Sequence, residues 1–279
     1  MSTAFLSPAP SPDQAWHQRY RADLAHAPER WNDTLDVLMA HRSVRRYLPQ
    51  PVSDATLQTV IAAAQSASTS SNLQVWSVVA VRDSGRKARL AEFCGNQRHV
   101  AEAPLFLVWL ADYARLRQVA ADQGAPLEGQ DYLEAAVMGC VDAALAAQNA
   151  MTAAESLGLG GVYIGGIRNR PEDVAAELHL PDGIVPVFGM CLGYPDPAEA
   201  AEIKPRLPQP AVLHLETYDL DTQLAQVAEY EARISAFYHE QDMAHSWVSR
   251  VLKRLAGPQS LTGRHRLREA WEKLGFKMR

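Results

Sequence analysis

The run His41-Arg42-Ser43-Val44-Arg45-Arg46-Tyr47 sets three guanidinium groups and a hydroxyl close together along the chain. Arginine presents a planar fork that matches phosphate oxygens, and serine adds a further donor, so this spacing suits a phosphate clamp. It also suits a solvated basic helix end facing its own negative dipole, and spacing alone does not choose between the two. A second polar cluster, Ser68-Thr69-Ser70-Ser71-Asn72-Leu73-Gln74-Val75-Trp76, gathers hydroxyls and amides able to bond a polyol or a heterocycle edge. The alternative there is a polar connection with local side-chain caps. A third, Leu159-Gly160-Gly161-Val162-Tyr163-Ile164-Gly165-Gly166, has glycines at both ends of an apolar run, which lets main chain approach a flat ligand or simply makes tight turns. Lys204-Pro205-Arg206 offers a second cationic pair on a rigid loop, or an exposed loop charge, and Gln97-Arg98-His99 either reaches a site or lies on a surface helix.

Other chemistries have little support. The glycine run is not GxGxxG, so a dinucleotide-binding Rossmann unit is not indicated, and P-loop glycines are missing. There is no GxSxG elbow. His239 and His245 are not at HExxH spacing, and no carboxylate joins them in a metal pattern, so no metal site is expected. The chain has 279 residues and a net charge of -5, without a basic block, which argues against a nucleic-acid partner. Cys94, Cys140 and Cys191 are odd in number and far apart, which suits reduced core thiols better than a disulfide framework or a zinc site. The N-terminus lacks a secretory pattern and the apolar runs are short, so a cytoplasmic protein with no membrane partner is expected.

These segments need elements to hold them. Residues 1–12 read as a loosely ordered lead-in, and Asp13 to about Leu24 as a helix with a thin apolar face. A helix is expected over Asp33–Ala40, capped by Asn32 or Asp33 with Leu35, Leu38 and Met39 inward. Pro49 and Pro51 force an extended link. Ser53 caps the next helix, whose stripe is Leu57, Val60, Ile61 and Ala64. Strands are expected near 75–81, 159–166 and 184–193, and 104–110 is another short buried strand or core run; a helix is expected over 84–94 and another opened by Pro171. Asp131–Leu157 reads as one alanine-rich helix stopped at Gly158. Its face of Leu133, Val137, Val141, Ala144 and Leu145 suits a helical core or a dimer interface. After the proline-studded loop 195–210, the chain turns helical from about Thr222, with breaks at Pro258 and Gly263. Helices and strands mix without strict βαβ alternation, which favours an α+β fold. The expected organisation is an N-terminal extension over 1–30, partly disordered or loosely docked, and one domain over 31–279.

Taken together and in order, HRSVRRY, SSNLQVW, SLGLGGVYIGGIRN and VFGMCLGYPD…KPRLP resemble the nitroreductase superfamily, specifically its type-A oxygen-insensitive nitroreductase and flavin reductase branch. The resemblance runs from about residue 35 to about 245. It implies a central, mainly antiparallel sheet wrapped by helices, in an intertwined homodimer with FMN at the interface. It puts His41, Arg42, Ser43 and Arg45 on the FMN phosphate and ribityl chain. Thr69 comes from the partner subunit, and Gln97 approaches the flavin. Ile164, Gly165 and Gly166 line the ring, while Lys204 and Arg206 complete the polar shell.

The resemblance further implies ping-pong hydride transfer at flavin N5, from NADPH or NADH to a nitroaromatic, a quinone or another small flat acceptor, with no protein-borne catalytic residue. A specialised FMN oxidase or dehydrogenase, or a non-catalytic flavin-binding protein, remains open on the same scaffold. One departure concerns His239-Glu240-Gln241-Asp242, where NADPH-preferring members carry basic residues. Acidic neighbours should repel a 2′-phosphate, which makes NADH the more natural donor.

Overall fold

The computed structural model describes residues 10–198 and 201–279, so most of the expected lead-in lies outside the described residues. In chain order the helices are α1 (Pro12–Tyr20), α2 (Asp33–Ala40), α3 (Asp54–Gln65), α4 (Ser84–Phe93), α5 (Arg98–Glu102), α6 (Ala114–Asp122), α7 (Leu133–Ser156), α8 (Pro171–Glu177), α9 (Leu220–His239), α10 (Trp247–Leu255) and α11 (Leu267–Lys273). The strands are β1 (Trp76–Val81), β2 (Leu105–Asp112), β3 (Gly160–Ile164) and β4 (Ile184–Gly193). Contacts divide the chain into two compact units. One comprises the chain up to Arg42 together with Glu202–Ala256, the other Ser43–Ala201 and Gly257–Arg279.

The larger unit is built on a sheet of order β1-β2-β4-β3 in which every neighbouring pair is antiparallel. All eight residues of β2 are buried, as are all but Phe188 of β4, because both faces of these central strands are covered. One face packs Phe106, Val108 and Leu110 with Leu90, Val100 and Ile164. The other packs Leu105, Leu107 and Trp109 with Val60, Ala64 and the alanines of α7. β1 is an edge strand and only partly covered.

Local rules set the ends of these elements. Ser53 Oγ accepts the Thr56 N–H at 3.1 Å and starts α3. Gly158, at φ 78°, stops α7, since that left-handed conformation is strained for residues with a Cβ. α7 buries Ala136, Ala143, Ala147, Ala150 and Ala154, while Leu133, Val137, Val141 and Leu145 are exposed. The branched face is therefore not part of a helical core within this chain; the small alanines let α7 lie close against the sheet and α3. Residues 128–131 form a 3-10 turn ahead of α7 rather than its first turn.

The smaller unit contains α1, α2, α9 and α10. Asn32 Oδ1 accepts the Leu35 N–H at 3.2 Å and caps α2. Leu38, expected inward, is 43% exposed, and α2 buries no residue fully. The core of this unit is short: Tyr230, Ile234, Phe237 and Tyr238 of α9, with Leu207 and Trp247 against them. Among the described residues no helix is long and apolar enough to cross a membrane.

Candidate functional site

In the larger unit, the segment after Arg42 is laid along the outer edge of β3. Ser43 bridges Gly161, and the Val44 N–H donates to Gly161 O at 2.9 Å. Tyr47 bridges Pro195, and its hydroxyl donates to Val44 O at 2.6 Å. Gly160 makes this approach possible, because a Cβ there would sit 2.6 Å from Val44 Cγ2. The first glycine pair of the third motif thus serves close packing of chain on chain. Burial, helped by the neighbouring Cys191, pushes the Tyr47 phenol well above its ordinary value, so it stays neutral and fixes the segment that presents Arg45.

The second glycine pair sits at the other end of the strand. β3 runs into a 3-10 turn, Gly165–Asn169. A Cβ on Gly166 would lie 2.6 Å from Cys94 O and 2.7 Å from Gln97 Nε2, so only glycine lets this backbone close against the α4–α5 connection. The Gln97 amide donates back to Cys94 O at 2.9 Å. A Cβ on Gly165 would meet the guanidinium groups of Arg168 and Arg264, at 3.4 and 3.5 Å. Ile164 is fully buried beneath. Ser43 therefore pairs with the first residues of β3 and Arg45 follows it along that edge, while Gln97, Ile164, Gly165 and Gly166 gather at the strand's far end.

Next to them, His99 Nε2 is buried with no hydrogen-bond partner. Burial and then the charge of Arg45 hold its imidazole below the ordinary histidine range, so it stays neutral near physiological pH. A buried acceptor or donor without a partner is rare, and usually marks a group that a ligand or water completes. These features fit FMN. The guanidinium groups beside Gly165 and the unpartnered His99 Nε2 suit an anionic oxygen. When bound, FMN supplies two-electron hydride chemistry and no protein nucleophile is needed. The residues that would hold it in this unit are Ser43, Arg45, Gln97 and the 164–166 backbone.

Thr69 is held elsewhere in the same unit. Its hydroxyl donates to the Asp142 carboxylate, which also accepts the N–H groups of Ser70 at 3.0 Å and Val75 at 3.4 Å. Asp142 sits in the alanine face of α7, 1% exposed. The loop it ties is strained: Ser71, Asn72 and Gln74 all have positive φ. Beside it, Thr69, Asn72, Gln74, Ser77 and Arg115 line a cleft of about 260 Å³. Arg115 closes one wall by donating to Gln74 O and Ser77 Oγ.

The remaining predicted residues belong to the smaller unit. Helix α2 ends at His41, and its last carbonyls need donors that its own last turn lacks. Arg42 Nη1 supplies one, to Ala40 O at 3.1 Å, so the reading of a basic residue against its own helix end is partly realised. Arg19 of α1 supplies the rest. Its Nη2 donates to Met39 O at 2.7 Å and His41 O at 2.5 Å, and its Nη1 to Lys204 O at 3.4 Å. The Arg206 N–H donates to Arg19 O at 3.1 Å. The Lys204 ammonium lies 5.5 Å over the Tyr238 ring, and Arg206 is exposed. Glu240, expected to repel a phosphate, pairs with Arg21 at 3.1 Å, which offsets its charge.

Sequence reasoning missed Arg19, Asp142 and Arg264. Arg19 gave no signal in a helix of weak amphipathicity. Asp142 was visible as the one carboxylate on the alanine face. Arg264 carried no pattern of its own.

The pattern of the Nitroreductase family matches residues 38–194, and that of the Nitroreductase family, C-terminal domain, matches 204–279. The chain belongs to the nitroreductase family. It is similar to the NADPH-flavin oxidoreductase of Vibrio harveyi, 41% identical over 81% of this chain and 92% of that protein. It is also similar to the oxygen-insensitive NADPH nitroreductase of Salmonella typhimurium, 44% identical over 74% of this chain and 82% of the relative. Among solved structures it is similar to the NADPH:FMN oxidoreductase from V. harveyi complexed with NAD+, with a TM-score of 0.79, 39% identity, and coverage of 89% of this chain and all of the other. These likenesses bear out the resemblance drawn from the four motifs and the α+β fold it implied.

Proposed function

We propose that this chain is an FMN-dependent NAD(P)H oxidoreductase that reduces flat acceptors, nitroaromatics and quinones among them. One observation carries the reading: guanidinium groups border Gly165 and Gly166 closes on Gln97, next to an unpartnered buried imidazole nitrogen and the charge of Arg45. The names printed for its relatives, a flavin oxidoreductase and a nitroreductase using NADPH, support the same class of reaction. His41, Arg42, Ser43 and Arg45 grip the phosphate and ribityl chain. Gln97, Ile164, Gly165 and Gly166 face the ring, and Lys204 with Arg206 complete the polar shell. Positive charge near the pyrimidine edge stabilises reduced, anionic flavin. Pairing of Glu240 with Arg21 leaves less acidic repulsion than the sequence suggested, so NADPH is an acceptable donor beside NADH.

The active form is a homodimer in which the exposed Val137, Val141 and Leu145 face of α7 is covered and Thr69 serves the partner's flavin. Exposed branched side chains in register along a helix are a normal interface signature. Three unpaired cysteines suit the reducing cytoplasm.

The purified protein is expected to be yellow and to turn over nitrofurazone and a quinone with NADPH or NADH. Protein that stays colourless after incubation with FMN would sink the reading. Within the clamp, Arg42→Ala should weaken FMN retention far more than Arg46→Ala, measured by flavin released on gel filtration. Equal losses would show the phosphate site to be misassigned.

A further inference from the structure

Helix α1 lies outside the matched family region, which begins at residue 38. No motif falls on it, yet it holds one of the few buried charges among the described residues. Arg19 is 6% exposed. A buried guanidinium is costly unless its fork meets acceptors, and here the acceptors are main-chain carbonyls from two distant segments: Met39 and His41 on one side, Lys204 on the other. The return bond from the Arg206 N–H to Arg19 O closes the tie. The two segments joined in this way carry His41, Lys204 and Arg206, four of whose neighbouring bonds run through a single residue.

The end of α1 is itself anchored. Arg21 takes a left-handed conformation, φ 51°, pairs with Glu240 of α9, and lies 5.6 Å over the Phe237 ring. Arg233 of α9 donates to Tyr20 O at 3.2 Å. α1 is therefore docked by directional bonds at its C-terminal end, where Arg19 works. Its helix start is equally defined, by a Ser11–Gln14 capping box and Pro12 at the first turn.

We propose that α1 is a positioning element of the flavin-nucleotide site, with Arg19 the residue that fixes the main chain of 39–41 and 204–206 so that their side chains can take the anionic tail of FMN. This rests on the flavin reading above. Arg19 touches no ligand in the proposal. It caps the open carbonyl end of α2, and the peptide that leaves that end is the one carrying His41 and Arg42. Without it the end of α2 frays and the Lys204–Arg206 strap loses its tie, so cations remain in the chain but no longer converge.

The test titrates apoprotein with FMN and with riboflavin, which lacks the phosphate, following quenching of flavin fluorescence. Arg19→Met should weaken FMN binding about tenfold or more, as expected for loss of charged hydrogen bonds, and riboflavin binding less than about twofold. Arg19→Lys keeps the charge without the fork and should fall between. An unchanged FMN-to-riboflavin preference in Arg19→Met, whatever the change in Tm, overturns the proposal and leaves α1 a structural appendage. Should Arg19→Met fail to fold, hydrogen exchange on the native chain decides: FMN should slow exchange of amides in 12–21, and no change there overturns the proposal too. Native apoprotein that binds neither flavin takes down the flavin reading itself, a result distinct from a retained preference.

Discussion

The two units of this chain are held together in different ways. In the larger one, β2 buries every residue and its side chains interlock with two apolar layers, so cohesion comes from area. In the smaller one, α2 and α10 bury no residue, and the apolar cluster is little more than one face of α9. Leu213, Leu215, Tyr218 and Leu252 of that unit are each at least 60% exposed. Its order depends instead on directional ties such as Arg19 to three carbonyls and Arg21 to Glu240. Area is insensitive to small shifts of geometry, whereas a tie is lost with a single group. Loss of one buried atom set should therefore damage stability in the first unit, and loss of one polar group should damage ligand geometry in the second.

The largest expected effect breaks the apolar side of that contrast. Phe106 is fully buried, and its ring occupies the space where a Cβ on Gly189 would fall, 2.4 Å from Cζ. Phe106→Ala removes a whole ring from a close-packed layer and should cost about 3–5 kcal/mol, read as a lower urea midpoint at unchanged slope. A loss under about 1 kcal/mol would mean that the layer collapses to refill the space, and that area is not what holds it.

Next in size is Asp142, a polar tie inside the apolar unit. Asp142→Ala leaves the Ser70 and Val75 N–H groups and the Thr69 hydroxyl without their acceptor and should cost about 3 kcal/mol. The strained conformations at Ser71, Asn72 and Gln74 would relax with it, so proteolysis within 68–75 should quicken. If Asp142→Ala keeps both stability and protease resistance, the loop holds itself and the contrast between the units needs another basis.

Much of the fold was readable because the helices of both units start and stop by local rules. Asn32, Ser53, Pro171 and Gly158 stand where capping chemistry puts them, and the continuous apolar runs of β2 and β4 announce strands covered on both faces. The four site motifs were readable as a set, since each sits at an element end. What escaped was long-range polar pairing. Nothing in α1 marks Arg19 as buried, because burial of a charge depends on carbonyls brought in from Met39, His41 and Lys204. The Leu133, Val137, Val141 and Leu145 stripe was visible as apolar, but periodicity does not say whether such a face meets its own chain. In α7 the sheet takes the alanines and leaves the larger residues outside.

The smallest effect sharpens the same contrast at the surface of the larger unit. Glu177 at the end of α8 receives Arg89, through Nε at 2.8 Å and Nη2 at 2.8 Å, and Arg86 Nε at 3.0 Å. The hydrogen bond from Arg89 leads in holding its carboxyl down to about 2, from an ordinary 4.5, with Arg86 adding to it against the opposing effect of partial desolvation. A depressed carboxylate pKa means that the folded chain binds the proton less well than the unfolded one. Its contribution to stability is therefore complete above about 4.5 and disappears as the pH falls toward 2. Glu177→Gln cannot titrate, so its urea midpoint should fall less steeply than that of the native chain across this window, with only a small offset at neutral pH, as exposed ion pairs usually give. Identical pH slopes for the two proteins would show that the α4–α8 pairing is decorative. The polar ties that matter would then be the buried ones, at Arg19 and Asp142.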